Sequence, residues 1–176
     1  QGWFVPHDIA GMIELMGGRE KALADLTAFF SQTPEDMLWN DYYNHANEPV
    51  HLVPFLFNHL GTPWDTQKWT RHICEKAYKN SVEGIVGNED VGQMSAWYVL
   101  ASAGLHPACP GSTRLEITSP LFEEVVFRLD ADYYAGKQFT VRAHNNEGGR
   151  NIYIQKAVLN GQPYDKCHID FQDIAA

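Results

Sequence analysis

Near Pro110 the spacing of apolar residues changes from about 3.6 residues to about 2, and no single kind of secondary structure accommodates both periods. Up to about residue 105 the spacing is helical. Pro6 suits a first helical position, Ile9, Met12, Ile13 and Met16 share one face, and Gly17-Gly18 ends the run. Leu23, Leu26, Phe29 and Phe30 form the stripe of a second helix, and Thr33-Pro34 opens a short helical piece from Asp36 to Tyr43. A further helix is expected from Val53-Pro54 to Gly61. Thr62-Pro63 then starts a long one carrying Trp69, Ile73 and Ala77, and an apolar helix from Val91 to Ala103 closes this half before Gly104 and Pro107.

Beyond Pro110, "LEITS", "EEVVFRL", "KQFTVRAHN" and "NIYIQKAVL" read as strands, and Asn160-Gly161 is a type I′ hairpin signal. Helices followed by strands argue α+β, with helical hairpins and then a small antiparallel sheet. Consecutive helices on short loops are compatible with part of an (α/α) toroid, which half a ring does not close. Gln1 is not an initiator methionine, so the expectation is a piece of a longer protein.

With 176 residues, 44% of them hydrophobic, the chain is long enough to bury a core. No run approaches the roughly 18 apolar residues of a membrane span, and no signal peptide pattern opens the chain. A net charge of −9 without a block of Lys and Arg argues against nucleic acid and anionic membrane as partners. Cys74, Cys109 and Cys167, an odd number without CxxC spacing, indicate neither a zinc site nor a disulfide framework and read as buried free thiols. The high aromatic content suits either sugar stacking or a large aromatic core.

Three constellations carry chemistry. The first is "GNEDVGQ", Gly87 to Gln93, which crowds Asn88, Glu89 and Asp90 at the mouth of the last helix. Such residues cap free N–H groups and suit the helix dipole. The same physics keeps a carboxylate charged, as a general base that activates water requires. Gly87 and Gly92 offer close backbone approach, and Gln93 and Trp97 stand near the open end. The second is "YYNHANEPVH", where Asn47 and Glu48 supply oxygen donors suited to a hard cation such as Ca²⁺ or form only a turn, and where His45 and His51 lack zinc-motif spacing. The third is "GWFVPHD", in which Trp3 is a stacking face and His7 and Asp8 are hydroxyl partners, or Asp8 is simply a cap.

In chain order, "WFVPHDIAGMIELMGG", "NEPVHLVPFLFNHLGTPWDTQ", "GNEDVGQMSAWYVLASAGLHPACPGS", "ITSPLFEEVVF" and "FTVRAHNNEGGRNIYIQKAVLNGQPY" resemble the bacterial glycoside hydrolase family 92 α-mannosidases over nearly the whole chain. That resemblance implies the C-terminal portion of a Ca²⁺-dependent, inverting exo-α-mannosidase acting on mannose-containing glycans, periplasmic or secreted. It implies that residues 1–108 are part of a catalytic (α/α)₆ barrel, that 109–176 form a β-rich segment, and that the partners include the rest of the parent chain with its N-terminal β-sandwich. By the same resemblance Asp90 matches the general base, and Asn88, where some members carry Asp, and Glu89 flank it at the catalytic centre. Asn47 and Glu48 match the Ca²⁺ region; from their local sequence Trp3, His7, Asp8 and Gln93, and from its place beside Ala46 His45, are expected to face substrate. Ala46 stands where some members carry a second polar residue, which leaves linkage preference open. The family's general acid is a Glu expected just upstream of Gln1. The rival readings are a noncatalytic carbohydrate-binding or structural module and a different (α/α)₆ glycosidase without Ca²⁺.

Overall fold

A computed structural model describes residues 2–175. Helix α1 runs Ile9–Leu15, and its start is set by Asp8, whose carboxylate accepts from the Gly11 amide at 2.9 Å. The helix therefore begins three residues after Pro6, because Asp8 brings the acceptor that a free N–H needs and Pro6 does not. Gly17 and Gly18, at φ 99° and 92°, end it and turn the chain into α2, Arg19–Ser31.

The helical piece expected from Asp36 to Tyr43 is absent, and the segment is a series of turns. Asp36 accepts from the Leu38 amide at 3.1 Å and Asn40 from the Tyr42 amide at 2.6 Å. Those side chains satisfy locally the amides that a helix would use, and Met37 and Trp39 take left-handed φ values of 52° and 37°. Two short 3₁₀ turns, Glu48–Val50 and Val53–Phe55, lead into α3, Leu56–His59. Helix α4 spans Pro63–Lys76 as its Thr-Pro start predicts, and α5 spans Gln93–Ala103. Among the described residues from Pro6 to Gly104 the only β pairing is a single bridge, Tyr78 to Ile85.

These helices close on one aromatic core. Phe30 stacks on Tyr43 with centroids 4.8 Å apart and on Trp69 at 4.9 Å, and Leu26, Phe55, Phe57, Ile73 and Trp97 are wholly enclosed around them. Each such side chain stabilises the fold by roughly 1.5–3 kcal/mol through burial.

The β half forms three small antiparallel sheets rather than one. Strands β1 (Leu105–His106), β2 (Arg114–Ile117) and β7 (His168–Asp170) assemble in the order β1-β2-β7, with Leu105 opposite Ile117 and Leu115 opposite Ile169. Strands β3 (Glu124–Arg128) and β4 (Gln138–Arg142) pair in one hairpin, β5 (Ala157–Leu159) and β6 (Gln162–Tyr164) in another, and α6 covers Phe171–Ala175. Asn160 and Gly161, at φ 48° and 81°, make the type I′ turn read from their sequence. The strand expected over 151–159 is a strand only from Ala157, because the preceding residues dock on α4, with the Ile154 amide donating to Gln67 Oε1 at 2.9 Å.

Buried polar groups join the halves. Arg71 on α4 donates to Ser119 Oγ at 3.0 Å and to the carbonyls of Pro120 and Gly149. Asn58 on α3 reaches Glu116 on β2 at 3.0 Å. Glu116, almost fully enclosed, also accepts from His59 at 3.0 Å and Arg114 at 2.6 Å. Burial pushes the Glu116 carboxyl up, but these partners outweigh burial and hold it below the ordinary carboxylate range.

Candidate active site

Helix α5 begins at Gln93, two residues later than its apolar pattern suggests, because Asp90, Val91 and Gly92 all take left-handed φ values of 51°, 59° and 94°. A β-branched residue in that region is strained by about 1–3 kcal/mol. The carboxylate that caps α5 is Glu89, which accepts from the Gly92 amide at 2.5 Å and the Ser95 amide at 2.9 Å. Hydrogen bonding from Ser95, and then from Gly92, holds the Glu89 carboxyl below its usual range. Of the three residues crowded here, Glu89 carries the capping role, and Asp90 stands exposed in the strained turn beside it.

The loop around Asn47 lies against this turn. A Cβ on Gly87 would meet the Ala46 Cβ at 2.5 Å, so the two loops touch where only glycine fits. Asn44 shapes the second loop by accepting from the Ala46 amide at 3.1 Å, and the 3₁₀ turn from Glu48 follows. Asn47 also lines a cleft of about 170 Å³ with Trp3, Phe4, Asn40, Asp41 and Tyr42. Aromatic faces with amide and carboxylate groups suit a sugar, whose C–H surface stacks while its hydroxyls need partners.

Beneath the two loops runs a chain of buried rings. The Tyr43 hydroxyl lies 2.8 Å from His45 Nδ1, and His45 Nε2 lies 2.7 Å from the Tyr78 hydroxyl, which donates to the Met94 carbonyl at 3.0 Å. His51 Nε2 donates to the His45 carbonyl at 2.9 Å, and its Nδ1 accepts from Gln93 Nε2 at 3.1 Å. Trp97 Nε1 donates to the His51 carbonyl at 3.0 Å. Burial, and then the nearby His51 and His106, lower the His45 pKa well below its ordinary value. Burial also lowers His51, against the opposing effects of its bond to the His45 carbonyl and the nearby Glu48 charge.

The structure thus brings Asn47, Glu48, Asn88, Glu89 and Asp90 onto adjoining loops with Gln93 at the start of α5 beside them, and Trp3 lines the same cleft as Asn47. Three of the expected sugar contacts are placed differently. His45 is fully enclosed with both ring nitrogens engaged, so it supports the loop rather than touching a ligand; its distance from the surface depends on α5 packing, which local spacing does not encode. Asp8 is occupied as the cap of α1, and the exposed His7 is not among the cleft-lining residues. Asn40 and Asp41 line the cleft without having been singled out, and the density of Asn and Asp in "NDYYN" was the available signal. Asn47 and Glu48 offer an oxygen-only donor set of the kind a hard cation takes, but supply two of the roughly six to eight ligands that Ca²⁺ requires. Among the described residues no three His, Cys, Asp or Glu side chains converge as a metal cluster.

The family model for the glycosyl hydrolase family 92 catalytic domain matches residues 1–176. A family GH92 α-mannosidase from Bacteroides thetaiotaomicron superposes with a TM-score of 0.87 at 35% identity, over 98% of this chain and 22% of its own. The family GH92 inverting mannosidase of Bacteroides thetaiotaomicron VPI-5482 gives 0.84 at 35% identity, over 99% and 25%. A fungal protein from Arthroderma benhamiae, described as an uncharacterized secreted glycosidase, is 34% identical over 93% of this chain and 20% of its own length. The chain therefore spans about a fifth to a quarter of the relatives it matches. On the match of the whole chain and its superposition on solved members, it belongs to glycoside hydrolase family 92.

Proposed function

We propose that the protein carrying this chain is an inverting exo-α-mannosidase that removes terminal α-linked mannose from glycans outside the cell, with Asp90 as its general base. The observation that carries this reading is the division of labour at the mouth of α5. Glu89 satisfies the helix terminus, so capping does not account for Asp90, which is held exposed in a strained turn. In the reaction Asp90 takes a proton from water as that water attacks the anomeric carbon from the face opposite the leaving oxygen. The glycosidic C–O bond breaks, and a second carboxyl group delivers the proton that the leaving oxygen needs. That acid is proposed to come from parts of the parent protein outside these residues, as are the remaining helices of an (α/α)₆ catalytic domain to which residues 1–108 contribute. Residues 109–176 are proposed to be its β-rich companion.

Trp3 offers a face to the sugar ring, and Asn47, which lines the same cleft, is the proposed partner for a sugar hydroxyl, while the Gln93 amide is engaged by His51. Asn47 and Glu48 are the residues of this chain that would hold Ca²⁺, whose chemistry when bound is to polarise vicinal sugar hydroxyls. The test is proton NMR of an α-mannoside during turnover by the full-length protein. The β-anomer of mannose is expected first; initial release of the α-anomer would overturn the inverting assignment. Dialysis against a Ca²⁺ chelator is expected to abolish turnover and added Ca²⁺ to restore it.

A further inference from the structure

We propose that His51 is a positioning residue, whose two ring nitrogens tie the start of α5, and with it the Asp90 turn, to the loop that carries Asn47 and Glu48. This rests on the reading of Asp90 as the base. An exposed turn of three left-handed residues has no ladder of its own to fix its direction. Its position is inherited from the groups on either side: backbone bonds run from the Gln93 amide to the Asp90 carbonyl and from the Met94 amide to the Glu89 carbonyl, both at 3.3 Å, and three further contacts add to them. On the near side, Gly87 packs on Ala46. Within the turn, Glu89 binds the Gly92 and Ser95 amides and joins the turn to α5. The third contact ties the first residue of α5 to the neighbouring loop, and it is the bond from Gln93 Nε2 to His51 Nδ1 at 3.1 Å.

His51 suits that role because its other nitrogen is already committed. Nε2 donates to the His45 carbonyl at 2.9 Å, which leaves Nδ1 as the acceptor facing α5. The ring is buried and cannot swing, and the Trp97 indole donates to the His51 carbonyl at 3.0 Å, so the backbone and the ring of one residue both grip the same helix. His45, whose carbonyl anchors His51, is itself tied through Tyr78 to the Met94 carbonyl in the first turn of α5. A displacement of about 1 Å at the reacting groups can cost around 10²-fold in rate, so loss of the link nearest the Asp90 turn is enough to matter.

The test is kinetic and uses the full-length protein with an aryl α-mannoside. In His51→Gln the amide reaches the position of Nε2 and keeps the bond to His45 but loses the one to Gln93. Gln93→Leu cuts the same bond from the exposed side. Each is expected to lower kcat by roughly 10- to 10²-fold while KM stays within about threefold, and the double variant should be no slower than the slower single variant. His51→Asn, whose amide overlays Nδ1, should recover part of the loss. A fall in KM-linked affinity alone, strictly multiplicative losses in the double variant, or an unchanged kcat in Gln93→Leu would overturn the proposal, and the last holds even if the His51 variants do not fold. Asp90→Ala measured alongside separates the two claims. An active Asp90→Ala sinks the base and this inference together, whereas an inactive one beside a fully active Gln93→Leu sinks only the positioning role.

Discussion

Of the two adjacent carboxylates at the mouth of α5, Glu89 is spent on the helix terminus, while Asp90 stands exposed in the turn beside it. Glu89 supplies hydrogen bonds that a helix terminus lacks, so Glu89→Ala is expected to lower stability by roughly 0.5–2 kcal/mol in chemical denaturation. A denaturation midpoint unchanged by that substitution would show that the cap contributes nothing. The sequence made the crowding legible but not which residue caps, because that depends on the left-handed turn at Asp90 and Val91, and Val91 is a residue type that disfavours it. His45 shows the same limit. Its burial depends on partners as far along the chain as Tyr78 and Trp97, and truncation to Ala, by orphaning the Tyr43 hydroxyl, removing one of the two partners of the Tyr78 hydroxyl and opening a cavity, is expected to cost about 2–5 kcal/mol. A loss below about 1 kcal/mol would contradict its place in the core.

Elements were legible where a periodic apolar face met a clear stop. Helices α1, α2 and α4 end or begin at the Gly-Gly and Thr-Pro signals, and the β5–β6 hairpin follows from Asn160-Gly161. They were illegible where side chains competed with the backbone. The Asp and Asn residues between 36 and 44 bind nearby amides, and the segment 151–156 gives an amide to Gln67 instead of to a strand, a choice made by tertiary contact. Contact between the two site loops has its own test. Gly87 has φ 75° and no room for a methyl beside Ala46, so Gly87→Ala should both destabilise the protein, by more than about 1 kcal/mol, and disturb the Asp90 turn. Full stability and activity in that variant would mean that the loops do not touch as described.

Across the whole molecule, buried histidines make stability depend on pH. His106, stacked on Phe55 at 4.6 Å, has its pKa lowered to about 4 by burial. The unfolded ring takes up its proton near its ordinary value of about 6.5, so its contribution is complete above that pH and is lost as pH falls towards 4. The full effect is roughly 3 kcal/mol, and His45 and His51, lowered in the same direction, add to it. Urea midpoints should therefore drop between pH 7 and pH 4.5, and equal midpoints would contradict the burial of these rings. The outer surface is also incompletely apolar-covered, with Leu15 92% and Trp39 74% exposed, and α5 carries apolar residues such as Val99 on its open side. Together with the four- to fivefold greater length of its relatives, this supports a chain that works inside a larger protein, and the isolated 176 residues are expected to hydrolyse α-mannosides negligibly. The most direct measurement is the kcat of Asp90→Ala in the full-length protein with an α-mannoside. A fall of about 10²–10⁴-fold, with folding retained, is the predicted result; turnover equal to that of the unsubstituted protein would contradict the assignment of Asp90 as the base.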